Sequence, residues 1–350
     1  MKRKSTHELV GDEVLARDIV NKDYQIILPQ GAVIRKDYIE KFGELGITEV
    51  YIKSDDPESD EIAILKSETE TSIKETVKDI LERHTYQHNQ ELAELSGAAD
   101  NIIDNILQEK QVIEKVFDIK ERNADLYEHS ISICALAILT ALKIGLNIKT
   151  IHDIGVGCLL HDIGMRYMAI DYNNQDVGTL NKQSLLEYKK HPVYGYTALK
   201  DESWISDLSK SIILYHHERL DGSGFPLRTR EISLECRIVN VCDAFDEMIC
   251  GIGCQRVKVH EAIEYLKSFK NILFDDKIVD VFLEFTAVYP AGTQVLTNEG
   301  ELAVVLSQNK GFQDRPIIKI LRDKDGNQVK GKVIKDLVKI HNIFIEKALD

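Results

Sequence analysis

Several features are scarce in this chain. It has six prolines and one tryptophan in 350 residues, and its six scattered cysteines include no CxxC pair. Isolated cysteines favour reduced thiols over a disulfide framework, so we predict a cytoplasmic protein. No segment approaches the roughly 18 consecutive apolar residues of a membrane span. The basic start at residues 1–14 has no apolar run behind it, which argues against a secretory signal.

Positive charge is also in deficit. The chain has 44 Lys and Arg against 58 Asp and Glu, a formal net charge of −14. This balance argues against a protein that coats DNA or RNA through a basic surface. The 43% hydrophobic content supports a folded protein, and 350 residues exceed one ordinary core. We therefore predict two or three domains.

Changes of pattern divide the chain into four segments. Residues 1–53 alternate strand-like and helix-like signals, as in a small α/β module. Residues 54–121 begin with a polar break at 55–60 and continue as an acidic helical connector. We interpret the connector as solvated helices, with signal transmission or dimerisation as the alternative. Residues 122–288 are apolar, helix-rich and hold seven of the eleven histidines.

The last segment, residues 289–350, has turn signals between β-branched runs and predicts a small β-rich domain. The predicted strands are Thr293–Thr297, Leu302–Leu306, Ile317–Leu321 and Gln328–Val333, followed by a helix or strand within Leu337–Ala348. The fold class is thus mainly α. An all-helical centre is flanked by an N-terminal α/β module and a C-terminal β-rich domain.

Acidic and imidazole side chains occur at the ends of apolar helices in the helix-rich segment. Asp125 and His129 are four residues apart, which places both on one helical face. His216 and His217 follow an apolar helix and precede a Gly/Pro loop that can approach a ligand closely. Asp243 lies in an apolar helix with no Lys or Arg beside it, and such a carboxylate needs a cation.

Two His-Asp pairs follow one another in similar sequence. His161-Asp162 ends an apolar run, whereas His152-Asp153 precedes it by nine residues. Nine residues turn a helix by a net half turn, so two pairs on one helix cannot share a site. We assign His161 and Asp162 to the site and place His152 at the solvent-facing start of the helix.

These segments supply five imidazoles and three carboxylates, with Asp246 as a further candidate. Imidazole and carboxylate ligands without cysteine favour a hydrolytic Fe, Mn or Zn centre. Eight ligands are too many for one ion, so two or three ions are implied. Two neighbouring ions suit in-line attack on a phosphodiester by a bridging hydroxide. The candidate ligands are Asp125, His129, His161, Asp162, His191, His216, His217, Asp243 and Asp246.

The order of these motifs resembles the HD-GYP family of HD phosphohydrolases. Leu159–Gly164 matches the HD signature, and His216–Pro226 matches the HHExxDGxGYP motif, with Phe225 in place of Tyr. The resemblance covers about residues 122–285. It implies a helical bundle around a metal pocket and hydrolysis of cyclic di-GMP to pGpG, GMP or both. Its cofactors would be two or three divalent ions, Fe or Mn first, with Zn, Ni or Mg as substitutes in a preparation.

The resemblance also implies individual roles. One ion would be held by His129, His161, Asp162 and Asp243. The second would be held by Asp162, His191, His216 and His217, with Asp162 bridging. Asp125 falls at the acidic position of trinuclear members. The implied catalytic residues are Asp162, Arg219 and Asp221, and the implied substrate-binding residues are Gly222, Gly224, Phe225, Pro226 and Arg256.

The chain departs from the family pattern around the substrate. Met165 replaces a phosphate-contacting lysine, and Cys250–Gln255 replaces an RPYR-like segment, with Arg256 as a candidate substitute. Losing such a cation costs about 1.5–3 kcal/mol. The main alternative is therefore a weak or inactive homologue that binds metal or nucleotide as a regulatory or scaffold protein. Hydrolysis of another phosphoester is a third hypothesis.

The expected partner is cyclic di-GMP or a related small nucleotide. The acidic composition predicts no DNA or RNA partner, and the short apolar runs predict no membrane partner. A homodimer through the connector helices and a signalling partner protein are further hypotheses.

Overall fold

A computed structural model describes most of the chain in two compact units. The first comprises Met1–Ile62, Ala291–Gln308 and Arg315–Asp350, and the second comprises Ala63–Pro290 with Asn309–Asp314. The described residues are 2–6, 9–15, 19–20, 26–29, 31–44, 47, 49–52, 64–65, 67–87, 90–108, 115–170, 175–329 and 331–349. The predicted polar break at 55–60 lies outside them.

The N-terminal part of the first unit mixes short strands with one helix. Its elements are β1 (Lys2–Ser5), β2 (Ile19–Val20), β3 (Ile26–Leu28), α1 (Lys36–Glu44) and β4 (Glu49–Ile52). Strand β1 pairs with β4 and β2 pairs with β3, both antiparallel. Leu15, Ile34 and Phe42 are buried in a small apolar core. These elements confirm the predicted α/β module.

The second unit is helical throughout its regular structure. Short 3₁₀ turns connect some of the helices, including one at Ile163–Tyr167. The helices are α2 (Ser67–Gln87), α3 (Glu94–Gln108), α4 (Leu126–Ile144), α5 (Ile148–Leu160), α6 (Lys182–Tyr188), α7 (His191–Leu199), α8 (Asp207–Tyr215), α9 (Leu234–Cys250), α10 (Val259–Ser268) and α11 (Asp276–Phe285).

Helix α4 lies at the centre of this unit. Asp125 caps its N-terminus by accepting from the backbone N–H of Tyr127 and Glu128, and Gly145 ends it in the left-handed conformation. By length and composition α4 could cross a membrane, but 67% of its most apolar window is buried inside the protein. Its apolar surface is therefore accounted for by packing against α5 and α9.

Helices α2 and α3 contribute one face each to the same apolar core. Val77 and Ile80 of α2 and Ile102 and Ile106 of α3 are fully buried. Their spacing of three or four residues is that of an amphipathic helix. The connector helices thus combine a solvated charged face with a packed apolar face. The predicted boundary at residue 122 stays a prediction.

The C-terminal residues form a five-stranded antiparallel sheet of order β8-β7-β6-β5-β9. Alternate residues of the central strands are buried, as expected for a sheet with one solvated face. The strands are β5 (Gln294–Thr297), β6 (Leu302–Ser307), β7 (Ile317–Arg322), β8 (Ile334–Asp336) and β9 (Ile345–Leu349). This sheet confirms the predicted β-rich end.

One strand differs from its prediction. Among its described residues, the run 328–333 makes one ladder bridge, from Gln328 to Arg322, and the regular strand starts only at Ile334. Gly331 has a φ of +96°, which lies outside the extended region. A left-handed residue interrupts a ladder, so the β-branched pattern alone placed this strand too early.

Candidate metal centre

Five helices of the second unit bring acidic and imidazole side chains to one place. Four contribute from an end or a first turn, and α9 contributes from its middle. Helix α4 supplies His129 in its first turn, α5 ends at His161-Asp162, α7 begins at His191, α8 ends at His216-His217, and α9 supplies Asp243 from its middle. All seven side chains are buried. We call these seven residues the cage: His129, His161, Asp162, His191, His216, His217 and Asp243.

Asp162 lies between two sets of imidazoles. Its Oδ1 is 3.3 Å from His191 Nε2 and 3.6 Å from His216 Nε2. Its Oδ2 is 3.4 Å from His161 Nε2 and 3.9 Å from His129 Nε2. Because each carboxylate oxygen faces a different pair, Asp162 could bridge two cations.

Asp243 closes the second side of the cage. Its Oδ1 is 3.4 Å from His129 Nε2 and 3.7 Å from His161 Nε2. Its Oδ2 is 3.5 Å from His217 Nδ1. Two compact donor groups result, one of Asp162, His191, His216 and His217, and one of His129, His161 and Asp243.

Backbone hydrogen bonds fix the tautomers of three histidines. Nδ1 of His161, His191 and His216 each donates to the carbonyl three residues earlier, at 2.7, 2.8 and 2.9 Å respectively. In a neutral ring, Nε2 then carries the lone pair. Nε2 of His191 and Nε2 of His216 are 3.0 Å apart. Two lone pairs at that distance cannot hydrogen-bond, whereas a cation beside them would satisfy both.

His129 is oriented by a carboxylate instead. Its Nδ1 is 2.7 Å from Asp246 Oδ2, and Asp246 also accepts from Ser132 Oγ at 2.7 Å and from Arg122. Burial raises the pKa of Asp246, but the Arg122 guanidinium and His129 lower it to about 2. Asp246 therefore remains ionised and holds His129 through Oδ2 while Ser132 occupies Oδ1. A carboxylate on the outer nitrogen is the arrangement that metal-binding histidines commonly show.

The protonation states of the donor group formed by Asp162, His191, His216 and His217 suit a metal. Burial lowers the pKa of His216 to about 3 and lowers the pKa of His191 and His217 as well. Burial alone would raise the pKa of Asp162, but His161 and its neighbours hold it well below its ordinary value. Neutral imidazoles around an ionised carboxylate are the forms that bind a divalent ion.

Several buried cage atoms have no hydrogen-bond partner within the part of the chain that the structure describes. They are His129 Nε2, His161 Nε2, Asp162 Oδ1 and both carboxylate oxygens of Asp243. An unsatisfied buried polar atom costs about 1–3 kcal/mol, and more when it is charged. Their convergence within the cage fits divalent cations, which would satisfy them. The donor set therefore fits the Fe, Mn or Zn centre expected from the sequence.

Asp125 lies apart from these donors. Its Oδ1 accepts from the N–H groups of Tyr127 and Glu128, and its Oδ2 is 2.6 Å from Lys74 Nζ of helix α2. It belongs to no metal-binding group among the described residues. A role for Asp125 in a third metal site stays a prediction. His152 is half-buried against Ser96 Oγ, at 3.0 Å, and is likewise outside the cage.

The loop after His217 is held by Glu218 and Arg219. The buried Glu218 carboxylate accepts from the N–H groups of Leu227, Arg228 and Thr229, at 2.6, 3.0 and 3.0 Å. The Arg219 guanidinium donates to the carbonyls of His216 and Glu218. These contacts assign both side chains to loop positioning.

The rest of the GYP-like motif shapes the same loop. Asp221 is exposed and accepts from Ser223 N–H at 2.8 Å, and its catalytic role stays a prediction. Gly222 has a φ of +77°. A Cβ on Gly224 would lie 2.5 Å from the backbone of His217, so only glycine fits there. Phe225, which precedes Pro226, stacks on His217 with ring centroids 4.5 Å apart.

Glu218→Gln is expected to lower the free energy of unfolding of the helical unit by about 2 kcal/mol, because the new NH₂ group would face a backbone donor and leave it unsatisfied. Urea denaturation followed by circular dichroism measures the change. Glu235→Gln, which removes a charge from the first turn of α9, should shift stability by less than about 0.5 kcal/mol. Equal stabilities for the two variants would contradict the positioning role.

The structure shows the surroundings of Met165, which departs from the family pattern, and of Arg256, the candidate substitute cation. Met165 is buried with 2% exposure, and the neighbouring Arg166 donates to Tyr127 Oη at 2.8 Å. Arg256 is exposed and donates to Asn123 Oδ1 at 3.2 Å, so this contact does not place it at the cage. A substrate-contacting role for Arg256 stays a prediction.

Sequence reasoning missed two residues beside the cage. Glu247 lies one turn after Asp243 on α9, and its Oε1 is 3.8 Å from His217 Nε2. The i+4 spacing that linked Asp125 to His129 could have found it. Lys189 has its Nζ 5.4 Å from the centroid of Phe225, the ring that stacks on His217. Lys189 precedes His191 by two residues, but no periodic pattern indicated its place.

Family models match two parts of the chain. An HD domain model matches residues 111–278. A model described as a KOW domain associated with an HD domain matches residues 294–350, the strands of the C-terminal sheet.

Curated relatives match part of the chain. A cyclic di-GMP phosphodiesterase of Pseudomonas aeruginosa is 30% identical over 231 residues, which are 65% of this chain and 55% of that protein. A cyclic di-GMP phosphodiesterase of Thermotoga maritima is 31% identical over 176 residues, 48% of each chain. The chain thus spans about half the length of the curated relatives it matches.

A solved structure shares the fold. Bd1817, an HDG"Y"P protein from Bdellovibrio bacteriovorus, superposes with a TM-score of 0.56 at 19% identity, covering 80% of this chain and 97% of that one. The helical bundle, the buried His/Asp cage and the family match agree, and they identify an HD domain at residues 111–278.

Proposed function

We propose that this protein is a metal-dependent phosphodiesterase that hydrolyses cyclic di-GMP to pGpG, GMP or both. The observation that supports it best is the position of Asp162 between two sets of oriented imidazoles. Two matching relatives are named cyclic di-GMP phosphodiesterases. Because the chain spans about half of those relatives, both the activity and the substrate are proposals for this chain.

In this proposal the cage holds two divalent ions, with iron or manganese as the expected metals. His129, His161 and Asp243 would hold one, His191, His216 and His217 would hold the other, and Asp162 would bridge them. Such ions act as Lewis acids on the phosphodiester and supply a nucleophile from water at neutral pH. Asp246 keeps His129 in its ligating tautomer, and the Glu218 network keeps the loop of Phe225 beside His217.

The direct test is turnover by metal-loaded protein. Protein prepared without oxygen and loaded with Mn²⁺ or Fe²⁺ should convert cyclic di-GMP to pGpG. The reaction mixture is then analysed for GMP as a further product. Metal analysis should give at least two ions per chain. Nucleotide binding without product at any loading would favour the weak or inactive homologue, for which Met165 and Cys250–Gln255 are the motivation. Turnover of a different phosphoester alone would favour the third hypothesis.

Lys189→Ala is expected to raise KM for the dinucleotide about five- to tenfold with a smaller change in kcat. Lys189 makes no ion pair among the described residues, and its ammonium lies over Phe225 at the cage. A cation there can contact a substrate phosphate, and a tenfold change corresponds to about 1.4 kcal/mol. Lys190→Ala is the matched control, since exposed Lys190 pairs with Glu187 instead. Similar KM values for both variants would refute this role.

Location and assembly complete the proposal. All six cysteines are free thiols, and five of them are buried, which supports a reducing, cytoplasmic location. A homodimer or a signalling partner acting through α2 and α3 stays a proposal. Chemical crosslinking and light scattering of the full chain would test the dimer.

A further inference from the structure

We propose that Glu247 is a ligand for an additional divalent cation, held with His217 and Asp243 beside the cage. This inference rests on the proposed function, because it requires the cage to bind metal. It differs from the expectation drawn from the sequence, in which Asp125 supplies the carboxylate of the additional metal site.

The three side chains converge on one side of α9. Glu247 follows Asp243 by four residues, so both carboxylates project from the same helical face. Glu247 Oε1 is 3.8 Å from His217 Nε2, and Asp243 Oδ2 is 3.5 Å from His217 Nδ1. One donor atom from each residue lies within 4.8 Å of the other two. This spacing allows a single ion to contact all three.

Asp243 provides independent support for a ligand at this position. Its side chain is 1% exposed, and its Oδ2 has no hydrogen-bond partner among the residues that the structure describes. This oxygen is the one that faces His217. A buried carboxylate oxygen without a partner is strongly unfavourable unless a cation satisfies it.

His217 differs from its neighbours in how its ring is held. His161, His191 and His216 each donate Nδ1 to a backbone carbonyl. In the part of the chain that the structure describes, His217 makes no such bond, and its two nitrogens face Asp243 and Glu247 instead. Phe225 holds the ring by stacking alone. Neither nitrogen of His217 is committed to a backbone carbonyl, so either one can carry the lone pair of the neutral ring. In this inference that lone pair goes to the additional ion, and Asp162, His191 and His216 keep the neighbouring cage ion.

Charge also favours a cation at Glu247. Its carboxylate is mostly buried and lies one turn from a second carboxylate, and like charges at this spacing repel. Among the described residues no Lys or Arg forms an ion pair with Glu247. Asp125 is in the opposite situation, since Lys74 and two backbone N–H groups already satisfy its oxygens. Of Glu247 and Asp125, Glu247 is therefore the carboxylate whose oxygens are better placed to bind a cation.

The test measures metal binding directly. Apo-protein would be titrated with Mn²⁺ under anaerobic conditions, with free Mn²⁺ followed by electron paramagnetic resonance. Wild type should bind one more equivalent than Glu247→Gln, or bind its weakest equivalent about 10–100-fold more tightly, as loss of a partner at a metal site predicts. Asp125→Asn, which keeps a good N-cap, should titrate like wild type.

Two further variants make the result decisive. Glu235→Gln removes the same charge from the same helix about 18 Å away and should titrate like wild type. Glu247→Asp retains the charge and should keep the additional equivalent with lower affinity, which separates ligation from a folding defect. Superimposable wild-type and Glu247→Gln titrations would refute the inference. So would loss of an equivalent in Asp125→Asn but not in Glu247→Gln.

The outcome also separates this inference from the proposed function. Fewer than two equivalents bound by wild type would refute the cage itself, and with it both proposals. Two tightly bound equivalents and normal turnover, with no change in Glu247→Gln, would refute the role of Glu247 alone.

Discussion

Asp162→Asn should lower kcat/KM for cyclic di-GMP by at least about 10³-fold, which is about 4 kcal/mol of transition-state stabilisation. Asparagine has nearly the same shape but lacks the charge and one acceptor oxygen. The amide NH₂ group of the asparagine would face a pair of imidazole nitrogens that a carboxylate oxygen of Asp162 faces in the wild type. Bridging two cations would then be impossible.

The chain supplies a matched control for this variant. Asp153→Asn makes the same change in the other His-Asp pair, where His152 contacts Ser96 instead of the cage. It should leave both turnover and metal content within about twofold of wild type. Steady-state kinetics and elemental analysis measure the two quantities. An Asp162→Asn protein that retained two ions and wild-type turnover would show that Asp162 does not bridge.

Gly164→Ala should destabilise the helical unit by about 3 kcal/mol or more and also weaken metal binding. The added Cβ would lie 1.9 Å from the backbone oxygen of His191 and 2.8 Å from the backbone nitrogen of Gly195. Neither atom belongs to a flexible side chain, so the turn Ile163–Tyr167 or helix α7 must move. Either movement displaces His191 from Asp162.

Gly97→Ala is the contrasting substitution. Gly97 is exposed within α3, and a Cβ there meets nothing within 4 Å. Alanine should stabilise the helix by about 0.5–1 kcal/mol, because glycine loses more backbone entropy on folding. Urea denaturation monitored by circular dichroism compares the two variants. A Gly164→Ala protein as stable as wild type would mean that the turn Ile163–Tyr167 and α7 are not packed as closely as described.

Sequence patterns were most informative where periodicity and chemistry coincide. His216, His217 and Asp243 stand out because charged or titratable groups are rarely placed on apolar helices without a partner. The choice of His161-Asp162 over His152-Asp153 followed from helical rotation, and only the first pair lies in the cage. In the C-terminal sheet, turn residues between β-branched runs located three strands correctly.

Other features depended on distances between remote residues. Asp125 and Glu247 are both acidic residues four positions from a cage residue, so sequence spacing treats them alike. Lys74, 51 residues before Asp125, pairs with one of them, and no local pattern could show this. In the same way, Arg122 and Ser132 occupy the oxygens of Asp246 and make it a positioning group for His129.

The sequence by itself determined the fold class, the β-rich end and the identity of most cage residues. These depend on local properties, namely helical period, turn residues and the chemistry of imidazole and carboxylate groups. The tertiary structure alone decided which carboxylate oxygens are left without a partner and which are already satisfied. That depends on packing between α2, α4 and α9, where a contact of a few ångströms joins residues far apart in the chain. The acidic cluster around His217 is the feature for which this distinction matters most.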